Sequence, residues 1–268
     1  MRKAAVACVQ FAPVLCDKEY NLIRMEYWID QVMQEHPDTD LILFPELANS
    51  GYDGTRTEFQ RMAEVPGAGE TGKRLGRRAA QYHVYLAFGY PEEAGDVLYN
   101  SMMLLGRDGG VVYNYRKVHP FGSEKSWCEH GDAFCAVDTD FGKIGMLICY
   151  DTVFPEAART LALQGAELLL ISTNWENPYV YDWELTTASR AYDNILPLAS
   201  ANRVGMDRVT SFFGHSRILD PIGRPLETLD EEVEGYIWHQ IDLEEATALR
   251  QGYYTTFQDR RPESYRLM

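Results

Sequence analysis

Residues 145–159 read GMLICYDTVFPEAAR. The run from Gly145 to Ile148 is small and apolar, as in a strand buried on both faces. It passes without a polar break into Cys149, and Pro155 then opens a helical pattern, PEAARTLALQGA. Pro at the first helical position and Gly165 at the far end follow the usual asymmetry of helix termini. A buried strand that turns sharply into a helix is a unit of layered α/β proteins. It also leaves a thiol at a strand's carboxyl end, where ligand crevices of open α/β sheets form.

The same alternation extends outward. KAAVACVQFA, from residue 3, alternates as a strand, although the two basic residues Arg2 and Lys3 and the short apolar run after them mimic a signal peptide. KEYNLIRMEYWIDQVMQEH places Leu22, Met25, Ile29, Val32 and Met33 on one helical face. DLILFPE is a second continuous apolar run. A helix over TGKRLGRRAAQYH and a strand over VYLAFGY follow, then strand-like segments at 98–105, 111–118 and 133–138. Beyond Gly165 come a strand (ELLLIST), a helix (YDWELTTASRAYDN), a strand (LPLASANRV) and a hairpin about Pro221–Gly223. No linker or repeat interrupts this order, which predicts one α/β domain over 1–268. The aromatic-rich stretch 253–268 lacks periodicity and reads as a tail that packs on something.

Composition narrows the function. The net charge is −15 over 268 residues, which disfavours nucleic acid and anionic membranes as partners. No stretch approaches the roughly 20 apolar residues of a membrane helix. Five cysteines without regular spacing argue against a disulfide framework and for a reducing, cytoplasmic setting.

Three reactive groups close apolar strands: Glu46 after LILFP, Lys117 after VVYNYR and Cys149 after GMLI. Each alone has a bland reading, as a solvated turn acid, a surface lysine or an inert buried thiol. Together they suit covalent acyl transfer. The thiolate attacks, the carboxylate shuttles protons, and the cation lowers the thiol pKa and binds the oxyanion.

In this order and spacing, LILFPELANSGY, YRKVHPFGSEKSW and GKIGMLICYDTVFPEAAR resemble the nitrilase superfamily of carbon–nitrogen hydrolases. VACVQFAP, ANRVG and FFGHSRILDPIGRPL extend the resemblance over nearly the whole chain. It implies a four-layer αββα sandwich, a Glu46–Lys117–Cys149 triad and no metal or organic cofactor. It also implies that Glu124 holds the lysine and positions the substrate amide, with Glu129 the weaker candidate. EHGD stands where the family usually has PGD, which leaves that loop's conformation open. The turn after Cys149 makes the Tyr150 N–H the expected oxyanion donor. Tyr52, Trp127 and Trp175 are candidate pocket residues, and loops near 50–60, 121–130 and 175–182 are expected to shape the pocket. The family's dimers predict a homodimer or higher homo-oligomer with the 253–268 tail at its interface.

Other signals are weaker. GAGETGKR nearly matches a phosphate loop but ends on Arg74, so the magnesium-binding hydroxyl is missing. CEHGDAFC lacks the second cluster that a four-ligand metal site needs. His119 offers an alternative base. CYD after the strand, rather than the CWE of true nitrilases, points to the amidase branch and to short neutral primary amides. N-carbamoyl compounds, nitriles, acyl transfer to an amine and a non-catalytic binding role are the alternatives.

Overall fold

The computed structural model describes residues 2–230 and 232–265. Its first strands are β1 (Lys3–Gln10), β2 (Leu41–Leu43), β3 (Tyr85–Ala94), β4 (Val97–Leu105) and β5 (Val111–Arg116). There follow β6 (Ala136–Asp138), β7 (Lys143–Ile148), β8 (Leu168–Thr173), β9 (Leu198–Asn202) and β10 (Val204–Met206). The last are β11 (Ser211–Phe213), β12 (Ser216–Leu219), β13 (Pro225–Leu229) and β14 (Gly235–Asp242). The helices are α1 (Lys18–Glu35), α2 (Arg56–Met62), α3 (Glu70–Tyr82), α4 (Pro155–Leu163), α5 (Val180–Asn194) and α6 (Glu245–Gln251).

Two six-stranded sheets result, ordered β14-β1-β2-β3-β4-β5 and β13-β12-β9-β8-β7-β6, with β10 and β11 as a separate ribbon. Each sheet has a parallel centre, β1–β2–β3 or β7–β8–β9, and antiparallel flanks. Parallel neighbours need a crossover, and helices supply it. α1 links β1 to β2, while α4 and α5 bracket β8.

Side-chain alternation explains why the central strands read as unbroken apolar runs. Leu41, Leu43, Ile144, Met146, Ile148, Leu168 and Leu170 meet between the two sheets. Ile42 and Phe44 face the other way, into the layer of Leu22, Met25, Ile29 and Leu75 from α1 and α3. Leu147, Leu169 and Ile171 likewise meet Ala157, Leu161 and Trp183 from α4 and α5. The four layers are therefore helix, sheet, sheet, helix. Each fully buried Leu or Ile here stabilises the fold by about 1.5–3 kcal/mol.

The face expected of α1 is the buried one, joined by Asn21, whose side chain both accepts from Val14 N–H and donates to Val14 O. The hairpin at Pro221–Gly223 joins β12 to β13, its tip held by Asp220 accepting from Ile222 and Arg224 N–H. Two expectations shift. The segment 111–118 ends as a strand at Arg116, although the Lys117 N–H still donates to Asn100 O of β4 at 2.8 Å, and 133–138 shortens to Ala136–Asp138. The near-match to a phosphate loop opens α3, but the chain's own Glu64 carboxylate takes the Thr71 N–H there.

The tail forms two 3-10 turns, Thr255–Phe257 and Pro262–Ser264. Phe257 lies under the guanidinium groups of Arg159 and Arg250, 4.8 and 4.4 Å from its ring centre. The end of the predicted tail, 266–268, lies outside the described residues. Among the described residues no helix is long and apolar enough to cross a membrane.

Candidate active site

The carboxyl ends of β2, β5, β7 and β8 converge where the two sheets meet. Glu46 follows β2 on a segment that runs beside β3, with Phe44 N–H donating to Ala87 O and Ala48 N–H to Gly89 O. A side chain at Gly89 would strike this segment: a Cβ there would lie 2.4 Å from Leu47 N and 2.5 Å from Glu46 Cα. Glycine is what lets Glu46 sit this close to β3. Glu46 is fully buried and its oxygens are all engaged. Oε1 accepts from Lys117 Nζ at 2.7 Å and Asn100 Nδ2 at 2.7 Å, and Oε2 from Asn174 N–H at 2.9 Å. That last bond reaches Glu46 from the end of β8, so both sheets hold it.

Lys117 is also buried, and its ammonium donates to Glu46 and, at 2.8 Å, to Glu124 Oε1. Glu124 sits in a 3-10 turn, Gly122–Ser126. It accepts in addition from Tyr52 OH at 3.1 Å and Phe121 N–H at 3.3 Å. Gly131, in the divergent EHGD loop, donates its N–H to Lys117 O at 2.8 Å, so that loop pins the lysine's backbone.

Cys149 ends β7 and opens a 3-10 turn, Cys149–Val153, with φ of +44°. A left-handed backbone at a non-glycine costs about 1–2 kcal/mol and persists only where neighbours enforce it. Asp151 does so. Its buried carboxylate accepts from Ile148 N–H, Tyr115 OH and His119 N–H at 3.2, 2.7 and 3.0 Å. The aspartate of CYD thus ties the nucleophile turn to the chain around Lys117. The Tyr150 N–H lies in the first turn of this 3-10 segment, where N–H groups have no partner within the helix.

Charge follows from burial. Burial alone would push the Lys117 pKa down, but the Glu124 and Glu46 carboxylates outweigh it and hold the ammonium well above the ordinary lysine range. Burial, and next the Glu46 charge, raises the Cys149 thiol far above the usual range; Lys117 opposes this without reversing it. Lys117 lowers the thiol pKa, as expected, but burial and the Glu46 charge outweigh it, which favours a resting thiol and gives Glu46 a proton to remove. The Thr173 hydroxyl adjoins the sulfur, favours the thiolate and takes no other partner. Burial, then Lys117 in opposition and Glu46 in support, leaves the Glu124 pKa raised. Tyr52 stays a phenol, its pKa raised by burial and by Glu124 and Glu46.

Cys149 opens onto a cavity of about 300 Å³, within the range of small-ligand sites. Tyr52, Phe121, Tyr150, Asn174, Trp175 and Glu176 are among the residues that line it. Asn174 is 3% exposed, and neither its Oδ1 nor its Nδ2 takes a partner from the protein.

A family model described as carbon-nitrogen hydrolase matches residues 5–251. The chain belongs to the carbon–nitrogen hydrolase family. It is 47% identical over 267 residues to a probable nitrilase of Schizosaccharomyces pombe, covering 98% of each chain. It is 30% identical over 266 residues to a 2-oxoglutaramate amidase of Bacillus subtilis, covering 98% of this chain and all of that one. The crystal structure of Saccharomyces cerevisiae Nit3, described as a branch 10 member of the nitrilase superfamily, superposes with a TM-score of 0.89. That match has 30% identity and covers 97% of each chain.

For this carbon–nitrogen hydrolase, the residues expected from sequence separate into two groups. Glu46, Lys117 and Glu124 form one buried ion cluster beside Cys149, and Tyr52 and Trp175 line the cavity. Trp127 does not. Its indole is 2% exposed and stacks on Phe59 at 4.1 Å, as part of a core cluster under the 3-10 turn. Glu129 is exposed and forms no ion pair with the lysine among the described residues. The His119 ring faces Asp151 Oδ1 at 2.8 Å and stacks on Phe154 at 3.7 Å. Of the loops expected to shape the cavity, 50–60 and 121–130 send only Tyr52 and Phe121, and Val153 and Thr186 come from outside all three. Asn100, Asp151, Thr173 and Asn174 were not legible as site residues. Only the nearness of Thr173 and Asn174 to a strand's carboxyl end could have drawn attention to that pair.

Proposed function

We propose that this chain hydrolyses a small primary amide to a carboxylic acid and ammonia through a thioester on Cys149. The observation that carries the reading is the buried Glu46–Lys117–Glu124 cluster beside a buried thiol whose pKa burial raises. A thiol held that way attacks only as a base removes its proton. Glu46 takes that proton while the sulfur bonds to the amide carbon and an electron pair moves onto the carbonyl oxygen. The Lys117 ammonium and the Tyr150 N–H hold the oxyanion; one such donor is worth roughly 2.7–4 kcal/mol. The C–N bond then breaks, Glu46 passes its proton to the leaving nitrogen, and ammonia departs. Water adds to the thioester carbon and gives a proton to Glu46. The C–S bond breaks, the proton returns to sulfur, and the acid leaves. Glu124, anchored by Lys117 and Tyr52, keeps the ammonium in place and accepts from the carboxamide nitrogen.

The relative named as an amidase favours this bond type. The relative named as a probable nitrilase supports a second reading, nitrile hydrolysis, which consumes two waters for each ammonia. A matched panel of amides, N-carbamoyl compounds and nitriles, assayed in parallel for ammonia and carbon dioxide, separates them. Ammonia without carbon dioxide, fastest from amides, is expected. Faster turnover of any carbamoyl compound or nitrile than of every amide would overturn the assignment.

A further inference from the structure

The cavity beyond Cys149 has an uneven chemistry. Its lining includes the aromatic rings of Phe121, Tyr150, Trp175 and Tyr179, two carboxylates, Glu176 and Asp182, and no Lys, Arg or His. Lys117, which is not among the lining residues, is already shared between Glu46 and Glu124. Neither Glu176 nor Asp182 is in an ion pair among the described residues, in a chain whose other acids repeatedly pair with arginine. Deeper in the same cavity, the buried Asn174 side chain leaves a donor and an acceptor unpaired. A buried, unpaired carboxamide costs free energy until something fills it, and a bound molecule with a polar group does so. The cavity therefore presents a polar dock at its floor and uncompensated negative charge among aromatic faces nearer solvent.

We propose that the preferred substrate carries a cation, such as a protonated amine, on the acyl side of the scissile amide. Glu176 and Asp182 receive the ammonium, and Asn174 holds a polar group nearer the reacting carbon. This rests on the amide-hydrolase reading and narrows its substrate class away from the neutral amides expected from sequence. Burial, and then the Asp53 charge, raises the Glu176 pKa, so an arriving cation relieves a strain already present. Tyr179, 49% exposed, and Trp175 offer ring faces that also attract an ammonium. A carboxylate at the same place would meet two like charges and no partner.

The test compares δ-aminovaleramide, hexanamide and adipamic acid, which differ in terminal charge at nearly equal length. kcat/KM for the aminoamide is expected to exceed that for hexanamide about five- to tenfold, as for one or two partly exposed ion pairs. Adipamic acid should be slowest. Within the Glu176→Gln/Asp182→Asn double variant the aminoamide-to-hexanamide ratio should fall toward one. Hexanamide turned over as fast as the aminoamide, or a ratio unchanged in the double variant, would overturn the inference. Calorimetric binding of the same three amides to Cys149→Ala reads the cavity without turnover. Tighter binding of the aminoamide supports the inference and equal binding overturns it. Failure of the wild type to hydrolyse any amide would sink the amidase reading separately.

Discussion

Replacing Lys117 by methionine removes one charge from the most buried ion cluster at the site. Nζ lies 2.7 Å from Glu46 and 2.8 Å from Glu124, and all three side chains are at most 1% exposed. Methionine nearly matches the volume, so packing changes little. What changes is that two carboxylates are left in a dry site without a countercharge. Removing one partner of a buried ion pair costs roughly 3–5 kcal/mol. At roughly 2–4 °C per kcal/mol for a chain of this size, the melting temperature should fall by roughly 6–20 °C at pH 8. Glu124, whose pKa is already raised by burial, can relieve the strain by binding a proton. A carboxyl with a raised folded pKa binds more protons folded than unfolded, so its penalty grows with pH and shrinks as pH falls. The deficit should therefore be smaller at pH 5 than at pH 8. Adding Glu124→Gln should recover about 1–3 kcal/mol at pH 8. The assay is urea unfolding of the single and double variants at both pH values. A Lys117→Met midpoint equal to wild type at pH 8, or a deficit that does not shrink on acidification, would refute the reasoning.

Activity should respond in parallel: Lys117→Ala and Lys117→Arg should both lose kcat severely, because a planar guanidinium does not replace a compact ammonium shared by two carboxylates; near wild-type rates for Lys117→Arg would make the lysine peripheral. Cys149→Ala should abolish turnover at a stability cost on the order of 1 kcal/mol, while alanine at Cys8, Cys16, Cys128 or Cys135 leaves measurable activity. Because the Cys149 thiol needs a base, Glu46→Gln should slow its alkylation by iodoacetamide and leave that of exposed Cys135 unchanged, read by mass spectrometry. Gly89→Ala should push the Glu46 segment from β3 and cost about 1–3 kcal/mol by overpacking, with activity falling alongside; a fully active, equally stable variant would contradict the close approach. The exposed Tyr181, Leu185 and Tyr192 on α5 and the 88% exposed Tyr253 favour a homodimer that uses this face and the tail; deletion of residues 253–268 should weaken it in sedimentation, and a monomeric full-length chain would refute it.

Much of the fold was legible because its pattern is local. LILF and LLLI read as continuous apolar runs because each strand has a sheet on one face and helices on the other. The face of α1 followed from helical spacing alone. The placement of Glu46, Lys117 and Cys149 at strand carboxyl ends was also local, and convergence of those ends is what the fold class entails. What local pattern does not carry is which side chains meet across the two sheets. Trp127 reads as a pocket aromatic until Phe59, from α2, covers it. Asp151 carries no reading of its own in the sequence, and its role appears only when Tyr115 and His119 arrive from the other sheet's edge. The net direction of the thiol's pKa shift was not legible for the same reason. A neighbouring lysine lowers a thiol pKa, but burial and the charge of Glu46, both products of tertiary packing, raise it more. Asn174 was invisible, since its N–H bond to Glu46 and its buried carboxamide, left unpaired by the folded chain, both arise only where the two sheets meet.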